Sequence, residues 1–168
     1  MTIRLHAIPS QRATSWLSTL ALLAAAPAAL AGTPINEHAA ADAAGKVEVS
    51  NTAGSVVVTA WPRSEVEVTG TLGTGTERLE FSSVDKLTRV KVILPRQSSR
   101  VERTDLVIKV PAGSSLAVNT VSADVRSQGV RGSQRLQSVS GDIQAEAAAE
   151  DVECKTVSGD VTVTGSGQ

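Results

Sequence analysis

The sequence predicts an all-β protein, a β-solenoid with parallel coils of about 18 residues that follows a less regular N-terminal β-section. Three nearly identical phrases, TVSADV, SVSGDI and TVSGDV, follow one another at a fixed interval, so that one aspartate recurs as Asp124, Asp142 and Asp160. Upstream of them, short segments alternate apolar and polar residues, with no helical pattern in between. A sandwich or barrel has no reason to repeat its sequence at fixed spacing, so the repeat favours the solenoid.

Residues 1–31 have the features of a secretory signal peptide. A basic start precedes the apolar run WLSTLALLAAA, and the small residues ALA end at Ala31, after which we expect cleavage. An uncleaved anchor needs roughly 20 apolar residues in a row, whereas Ser18, Thr19 and Pro27 interrupt this shorter run. Gly32 follows the cleavage site, where a lipoprotein would carry a cysteine. We therefore expect an exported protein, located in the periplasm or at the cell surface.

The remaining residues, 32–168, are enough for one domain. Without Arg4 and Arg12, 14 of the 16 basic residues stand against 17 acidic ones, which disfavours nucleic acid as a partner. No later stretch is apolar enough to form a transmembrane segment. Cys154 is the only cysteine, so no intrachain disulfide can form.

Residues 32–45 show no clean period and are expected to form a linker, and the solenoid domain is expected to span residues 46–168. Beyond Lys46 the predicted strands are KVEVSN, SVVVTAW, EVEVTGTLG, RLEFSSV, TRVKVILP and TDLVIKVP. Their period of two places one set of side chains in the interior. This set comprises Val47, Val49, Val66, Val68, Leu79, Phe81, Val90, Val92, Leu106, Ile108 and Val110.

Alignment of the C-terminal third at the spacing of the aspartates gives three apolar columns, which are expected to form interior ladders because equivalent residues of stacked coils lie roughly 4.8 Å apart. The columns are Val118, Leu136 and Cys154; Val121, Val139 and Val157; and Val125, Ile143 and Val161. The small and polar positions between them predict a corner, at which Gly allows unusual backbone angles and Asp bonds to the backbone. The same alignment predicts coil and strand, rather than helix, for QAEAAAEDVE.

An earlier phrase, NTAGSVVV, resembles the repeat, with Gly54 and Ser55 at the positions of the later Gly and Asp. However, the separation between Ser55 and Asp124 is not a multiple of the repeat spacing. The N-terminal half is thus expected either to have longer, less regular coils or to be a differently paired section that caps the stack.

The export signal, the strands that run into Val110, Pro111 and Gly113, and the TVSGDV phrases resemble the bacterial putative adhesin family of exported β-strand-repeat proteins, a domain of unknown function. The resemblance covers residues 46–168. It implies a secreted or surface-exposed β-solenoid without established enzymatic activity, and it brings no catalytic residues. Such proteins usually continue through more repeats, so we expect the domain to be truncated at its C-terminal end. We also expect weak end-to-end self-association through unpaired strand edges.

The sequence offers few groups for catalysis, and we predict neither enzymatic activity nor a cofactor. His38 is the only histidine after residue 31, which leaves no imidazole for a Ser-His-Asp relay. Cys154 is expected to be a small apolar core residue. Glu150, Asp151 and Glu153 could suggest a polysaccharide-cleaving pair, but a solvated acidic edge fits better because the chain has almost no aromatic residues.

Two binding hypotheses remain. A ladder of Asp124, Asp142 and Asp160 could hold a cation such as Ca²⁺, although aspartates that cap turns explain the pattern better and no metal site is predicted. Arg96, Arg100 and Arg103 lie in one long loop and could contact an anionic envelope polymer. The predicted function is therefore a non-catalytic adhesin-like or cell-envelope interaction module, with a polymer or protein partner. A self-assembling envelope scaffold is the alternative.

Overall fold

The structure is a computed structural model, which describes residues 32–96, 102–148 and 151–165. Eleven strands form one sheet, and no helix occurs in these ranges. The strands are β1 (Thr33–Ala40), β2 (Lys46–Trp61), β3 (Glu65–Leu72), β4 (Arg78–Val84), β5 (Leu87–Ile93), β6 (Thr104–Pro111), β7 (Ser115–Gln128), β8 (Gln134–Gln137), β9 (Ile143–Ala147), β10 (Val152–Lys155) and β11 (Val161–Gly165). The all-β prediction is confirmed, and the predicted export signal lies outside the described residues.

None of the described residues forms a helix with the length and hydropathy needed to span a bilayer.

The long strands β2 and β7 form the centre of the sheet and pair in parallel from Lys46 with Ser115 to Thr59 with Gln128. Their register places Gly54 beside Ala123 and Ser55 beside Asp124, as the NTAGSVVV phrase predicts. Their long separation in sequence arises because the chain forms β3, β4, β5 and β6 before it returns beside β2. Ser55 and Asp124 therefore lie on neighbouring strands, although the chain between them is far longer than one repeat.

After Gln128, each new strand pairs in parallel with the strand one repeat earlier. We refer to β7 as rung one, to β8 and β9 as rung two, and to β10 and β11 as rung three. The predicted columns Val118–Leu136–Cys154 and Val125–Ile143–Val161 are in register. The segment around QAEAAAEDVE contains β9 and β10, as predicted, apart from residues 149–150, which lie outside the described ranges.

The column of Val121, Val139 and Val157 does not face the interior, and this prediction is wrong. These side chains are 48%, 47% and 74% exposed. At the corner two consecutive residues point outward, Val121 and Ser122 in rung one, and this reverses the inward-outward alternation. Thr120 takes the interior position instead, where its hydroxyl donates to the carbonyl oxygen of Ala123 at 3.1 Å. A period-two pattern cannot show where such a reversal occurs.

The N-terminal section is differently paired, the second of the two arrangements left open by the sequence. β3 pairs antiparallel with β6, β4 pairs antiparallel with β5, and both β5 and β6 pair in parallel with β2. Residues 33–40, assigned to a linker above, form β1 on the outer edge of β3. The linker prediction fails here because an edge strand gains its stability from backbone pairing with β3, which needs no alternation of side chains.

The core lies between the inward faces of the strands and consists mainly of Val, Leu and Ile. The predicted interior residues of β2, β3, β5 and β6 are buried, and Leu79 and Phe81 of β4 pack partly buried against them. Buried polar groups lie near the turns, where Gln134 accepts from the Ser127 hydroxyl at 2.6 Å and donates to the Val130 carbonyl at 3.2 Å. The result is a thin apolar interior between two outward faces.

Candidate functional site

A column of carboxylates runs along the corner, as the spacing of the aspartates predicts. The backbone N–H of Asp142 donates to Oδ1 of Asp124 at 3.1 Å, and that of Asp160 donates to Oδ1 of Asp142 at 2.9 Å. The column continues through Ser55 to Asp105, where the serine hydroxyl donates to the Asp105 carboxylate at 2.7 Å. Asp124 and Asp142 therefore link successive strands by accepting from backbone amides at the corner.

The cation hypothesis for Asp124, Asp142 and Asp160 finds no support in this geometry. Within the described ranges, no three His, Cys, Asp or Glu side chains are grouped closely enough to hold a metal ion. One oxygen of Asp124 and one of Asp142 already accept a backbone N–H. The observed contacts are those of carboxylates that accept from backbone N–H groups at the corner.

The aspartate column borders a broad surface that we call the acidic face. It is the outward side of β1, β3, β6, β9, β11 and the C-terminal halves of β2 and β7. Three rows of side chains cross these strands, and each row consists of the residues that lie side by side with Ser55, with Val57 or with Thr59. Seven strands at about 4.8 Å spacing give it a width of roughly 29 Å. Its charged residues are two basic against six acidic: Lys109 and Arg126 against Glu67, Asp105, Asp124, Asp142, Glu146 and Asp160.

A shallow cavity of about 230 Å³ opens on this face beside Arg126. Its polar lining residues are Ser55, Asp124, Asp142 and Gln144 together with Arg126, and Val56, Val57 and Val125 complete the lining. Arg126 is exposed and takes part in none of the ion pairs found among the described residues. The cavity thus offers a cationic donor, carboxylate acceptors and groups that can both donate and accept.

Trp61 lies at the end of β2, just beyond the Thr59 row. Its indole N–H donates to the Glu65 carbonyl at 2.8 Å. The guanidinium of Arg63 and the ammonium of Lys109 lie 4.9 and 5.3 Å from the ring centroid, within the range of cation–π attraction. The ring is therefore already engaged by cations of its own chain.

The opposite outward face, on β4, β5, β8, β10 and the N-terminal halves of β2 and β7, carries ion pairs within a strand and between neighbouring strands. Glu48 accepts from Lys46 at 2.8 Å and from Arg89 at 3.2 Å, and Arg135 pairs with Glu153 at 2.8 Å. The hydrogen bond from Lys46 holds the pKa of Glu48 below its ordinary value of 4.5; burial opposes this shift, and Arg89 reinforces it. Several charged residues of this face therefore pair with one another.

The remaining sequence-predicted residues are dispersed. Arg96 and Arg103 are exposed on either side of a segment, residues 97–101, that contains Arg100 and lies outside the described ranges. Cys154 is in the predicted apolar column but only half-buried, and burial raises the pKa of its thiol. His38 is exposed on β1, and Asp151 and Glu153 are exposed, whereas Glu150 lies outside the described ranges.

Sequence reasoning missed Arg126, Gln144 and the cavity between them. The alignment of the repeats emphasises columns that keep one residue type, whereas this column reads Val57, Arg126, Gln144 and Thr162. The alternation of side chains along a strand could have identified these positions, because it places them on the outward face next to the aspartate column.

These features define an all-β repeat domain whose outward faces are assembled from strands in register. The chain belongs to the Toastrack DUF4097 family, whose model matches residues 36–168. This confirms the family that the sequence resembles. Comparison with curated proteins gave no match.

Three solved bacterial proteins are similar in structure at low sequence identity. A putative cell adhesion protein from Clostridium sporogenes gives a TM-score of 0.45 at 7% identity, covering 79% of this chain and 100% of its own. A putative adhesin from Parabacteroides distasonis gives 0.40 at 13% identity, covering 80% and 66%. A putative adhesin from Bacteroides fragilis gives 0.32 at 10% identity, covering 79% and 97%.

Proposed function

We propose that this protein is an exported, non-catalytic β-solenoid that contacts a hydroxyl-rich polymer of the cell envelope through its acidic face. The export signal predicted in residues 1–31 supports the location, and the parallel register of rungs one to three supports the coil. The observation that carries the proposal is the cavity beside Arg126, where strands in register gather hydrogen-bonding side chains on one face.

The chemistry of that cavity suits sugar hydroxyls, each of which can donate and accept a hydrogen bond. Asp124 and Asp142 can accept, Arg126 can donate, and Ser55 and Gln144 can do both. Because strand pairing already fixes the backbone, binding would order mainly side chains, which lowers its entropic cost. No aromatic ring lines the cavity, so a single sugar should bind weakly, and affinity should increase with polymer length through repeated contacts.

A glycan array of envelope oligosaccharides of increasing length tests this proposal. We expect binding that strengthens with length and falls at least about tenfold in Arg126→Ala, because charge-assisted hydrogen bonds contribute about 1.5–3 kcal/mol. Arg135→Ala, on the opposite face, is the matched control and should bind like the unmodified protein. Equal binding by both variants would contradict the acidic face as the contact, and release of reducing sugar would contradict a non-catalytic role.

An anionic polymer held by Arg96, Arg100 and Arg103 remains a separate proposal. A charge-driven contact should weaken steeply with salt and should be lost when all three arginines are replaced by alanine. Binding of the array's phosphorylated or sulfated glycans that survives both changes would eliminate this loop as the contact.

Self-assembly is a second candidate function because rung three exposes apolar side chains that the preceding rung buries. Val161 and Val163 are 43% and 49% exposed, whereas their column neighbours Ile143 and Ala145 are 0% and 2% exposed. Such an uncovered edge with apolar inward positions favours strand addition. Sedimentation over a range of concentrations tests for the resulting oligomer.

A further inference from the structure

The outward edge of rung three combines exposed apolar positions with a charge pattern that is complementary to itself. β10 and β11 each pair with rung two on one side and have no partner strand on the other among the described residues. On β10, Glu153 and Lys155 point outward on either side of Cys154, which points toward the core. A strand with opposite charges at alternate positions can pair with a second copy of itself in an antiparallel arrangement.

We propose that two copies of this chain pair through rung three as a symmetric dimer, with the two β10 strands antiparallel and the two-fold axis passing at Cys154. This inference deepens the self-association proposed above and does not depend on polymer binding. A two-fold axis makes both copies use the same surface, so each contact occurs twice.

The register follows from two restrictions. A two-fold axis perpendicular to the sheet keeps outward residues opposite outward residues, since a slip of one residue would set outward side chains against inward ones. The axis must then pass at a residue, and Glu153, Cys154 and Lys155 are the central candidates. An axis at Glu153 or at Lys155 sets two like charges directly opposite each other, which is destabilising. An axis at Cys154 sets Glu153 opposite Lys155 of the second copy, twice.

The same arrangement accounts for the apolar side chains left open at this edge. Val161 and Val163 of β11, together with half-buried Val152 and Cys154 of β10, occupy the inward columns of rung three. A second rung three placed against them would cover these columns as rung three covers rung two. β11 itself carries no charged side chain, so it adds no repulsion to the pairing.

Glu153 already contacts Arg135 of its own chain at 2.8 Å, with both side chains more than half exposed. An exposed pair of this kind contributes little to stability, and a carboxylate can accept from two cations at once. The contact therefore leaves Glu153 available to Lys155 of a second copy.

A charge-swap series measured by analytical ultracentrifugation tests the register. We expect Glu153→Lys and Lys155→Glu each to raise the dimer dissociation constant at least about tenfold, because each creates two like-charge contacts. The double variant E153K/K155E restores opposite charges and should return the constant to near its original value. It still lacks the Glu153–Arg135 contact, so a change in folding cannot explain the rescue. Lys86→Glu, in the exposed turn between β4 and β5 and away from this edge, is the control.

Oxidation by diamide provides an independent measurement. Opposed residues of antiparallel strands lie roughly 4.5–5.5 Å apart at Cα, within the range that disulfides span. Two Cys154 thiols should therefore join, each losing one proton and one electron to the azo group of diamide, which is reduced to a hydrazine. Cys154→Ser should give no covalent dimer.

The outcomes separate this inference from the proposals above. A chain that stays monomeric at all concentrations overturns self-association and the register together, without bearing on polymer binding. A dimer that forms no Cys154 disulfide and is not rescued by the double swap overturns the register alone, and it would indicate that β1 or β4 at the other edges of the sheet takes part.

Discussion

Gly141 shows how closely neighbouring rungs approach at the corner. A Cβ atom at this position would lie 2.3 Å from the carbonyl oxygen of Ala123, one rung away. Gly159 has the same relation to the carbonyl oxygen of Gly141, at 2.4 Å. Neither glycine has a positive φ, so the expected reason for the repeated Gly, tolerance of unusual backbone angles, is wrong here. The steric contact between stacked backbones is what excludes a side chain.

Gly141→Ala should therefore destabilise the protein by about 1–3 kcal/mol, because the added methyl group forces the two backbones apart. Gly165→Ala is the matched control, since a Cβ there meets nothing within 4 Å, and its effect should stay within about 0.5 kcal/mol. Urea unfolding of both variants measures the difference. Equal midpoints would mean that the corner is more compliant than its geometry indicates.

At the scale of elements, the sequence predicted strands well and their partners only in part. The alternation in KVEVSN or TDLVIKVP reports burial directly, because side chains on a strand alternate between faces. Repeats report parallel stacking in the same way, as Val118 and Leu136 show. Antiparallel pairing of β3 with β6 leaves no such trace, because no two segments there repeat. The corner reversal at Val121 was hidden because an apolar side chain on the outside of a turn looks like a core residue in an alignment.

The same limit applies to the candidate site. The sequence predicts that Asp124, Asp142 and Asp160 lie together because they repeat, whereas it gives no such signal for Arg126 because the residues of its column differ. A surface made by several strands depends on their lateral order, and that order was unknown for the N-terminal half. The shared face of Asp105 and Ser55 with the later aspartates could thus be seen only in the structure.

The ion pairs of Glu48 give one element-level prediction on pH. Its pKa lies below the ordinary 4.5, so its contribution to stability is present above pH 4.5 and is lost as the pH falls through the lowered value. The stability difference between the unmodified protein and Glu48→Gln should therefore be constant near neutrality and shrink in acid. Urea unfolding between pH 7 and pH 3 measures it. Gln137→Ala, which changes no charge, should show a difference that does not vary with pH, and a similar constancy for Glu48→Gln would contradict the prediction.

At the scale of the whole molecule, stability should decrease toward rung three, because each rung is held by its neighbours. The Val125 amide donates to the Asp142 carbonyl and the Ile143 amide donates to the Asp160 carbonyl, both at 2.8 Å. The second bond breaks when rung three alone opens, whereas the first requires rung two to open as well.

Hydrogen exchange should therefore show the Ile143 amide to be at least about tenfold less protected than the Val125 amide, corresponding to about 1.4 kcal/mol in opening free energy. The two amides form a matched pair, because Val125 and Ile143 lie in the same column and their hydrogen bonds have the same length. Equal protection would show that the rungs open together as one cooperative unit.

The constant offset between successive rungs also restricts which changes of length this chain can tolerate. Inserting or deleting a single residue within rung two would move every later side chain to the wrong column and the opposite face. Excising a full period, such as residues 124–141, would instead join Ala123 to Asp142 and leave every remaining column intact. Insertions and deletions in such a chain are therefore expected to comprise whole periods, because only these keep the remaining columns in register.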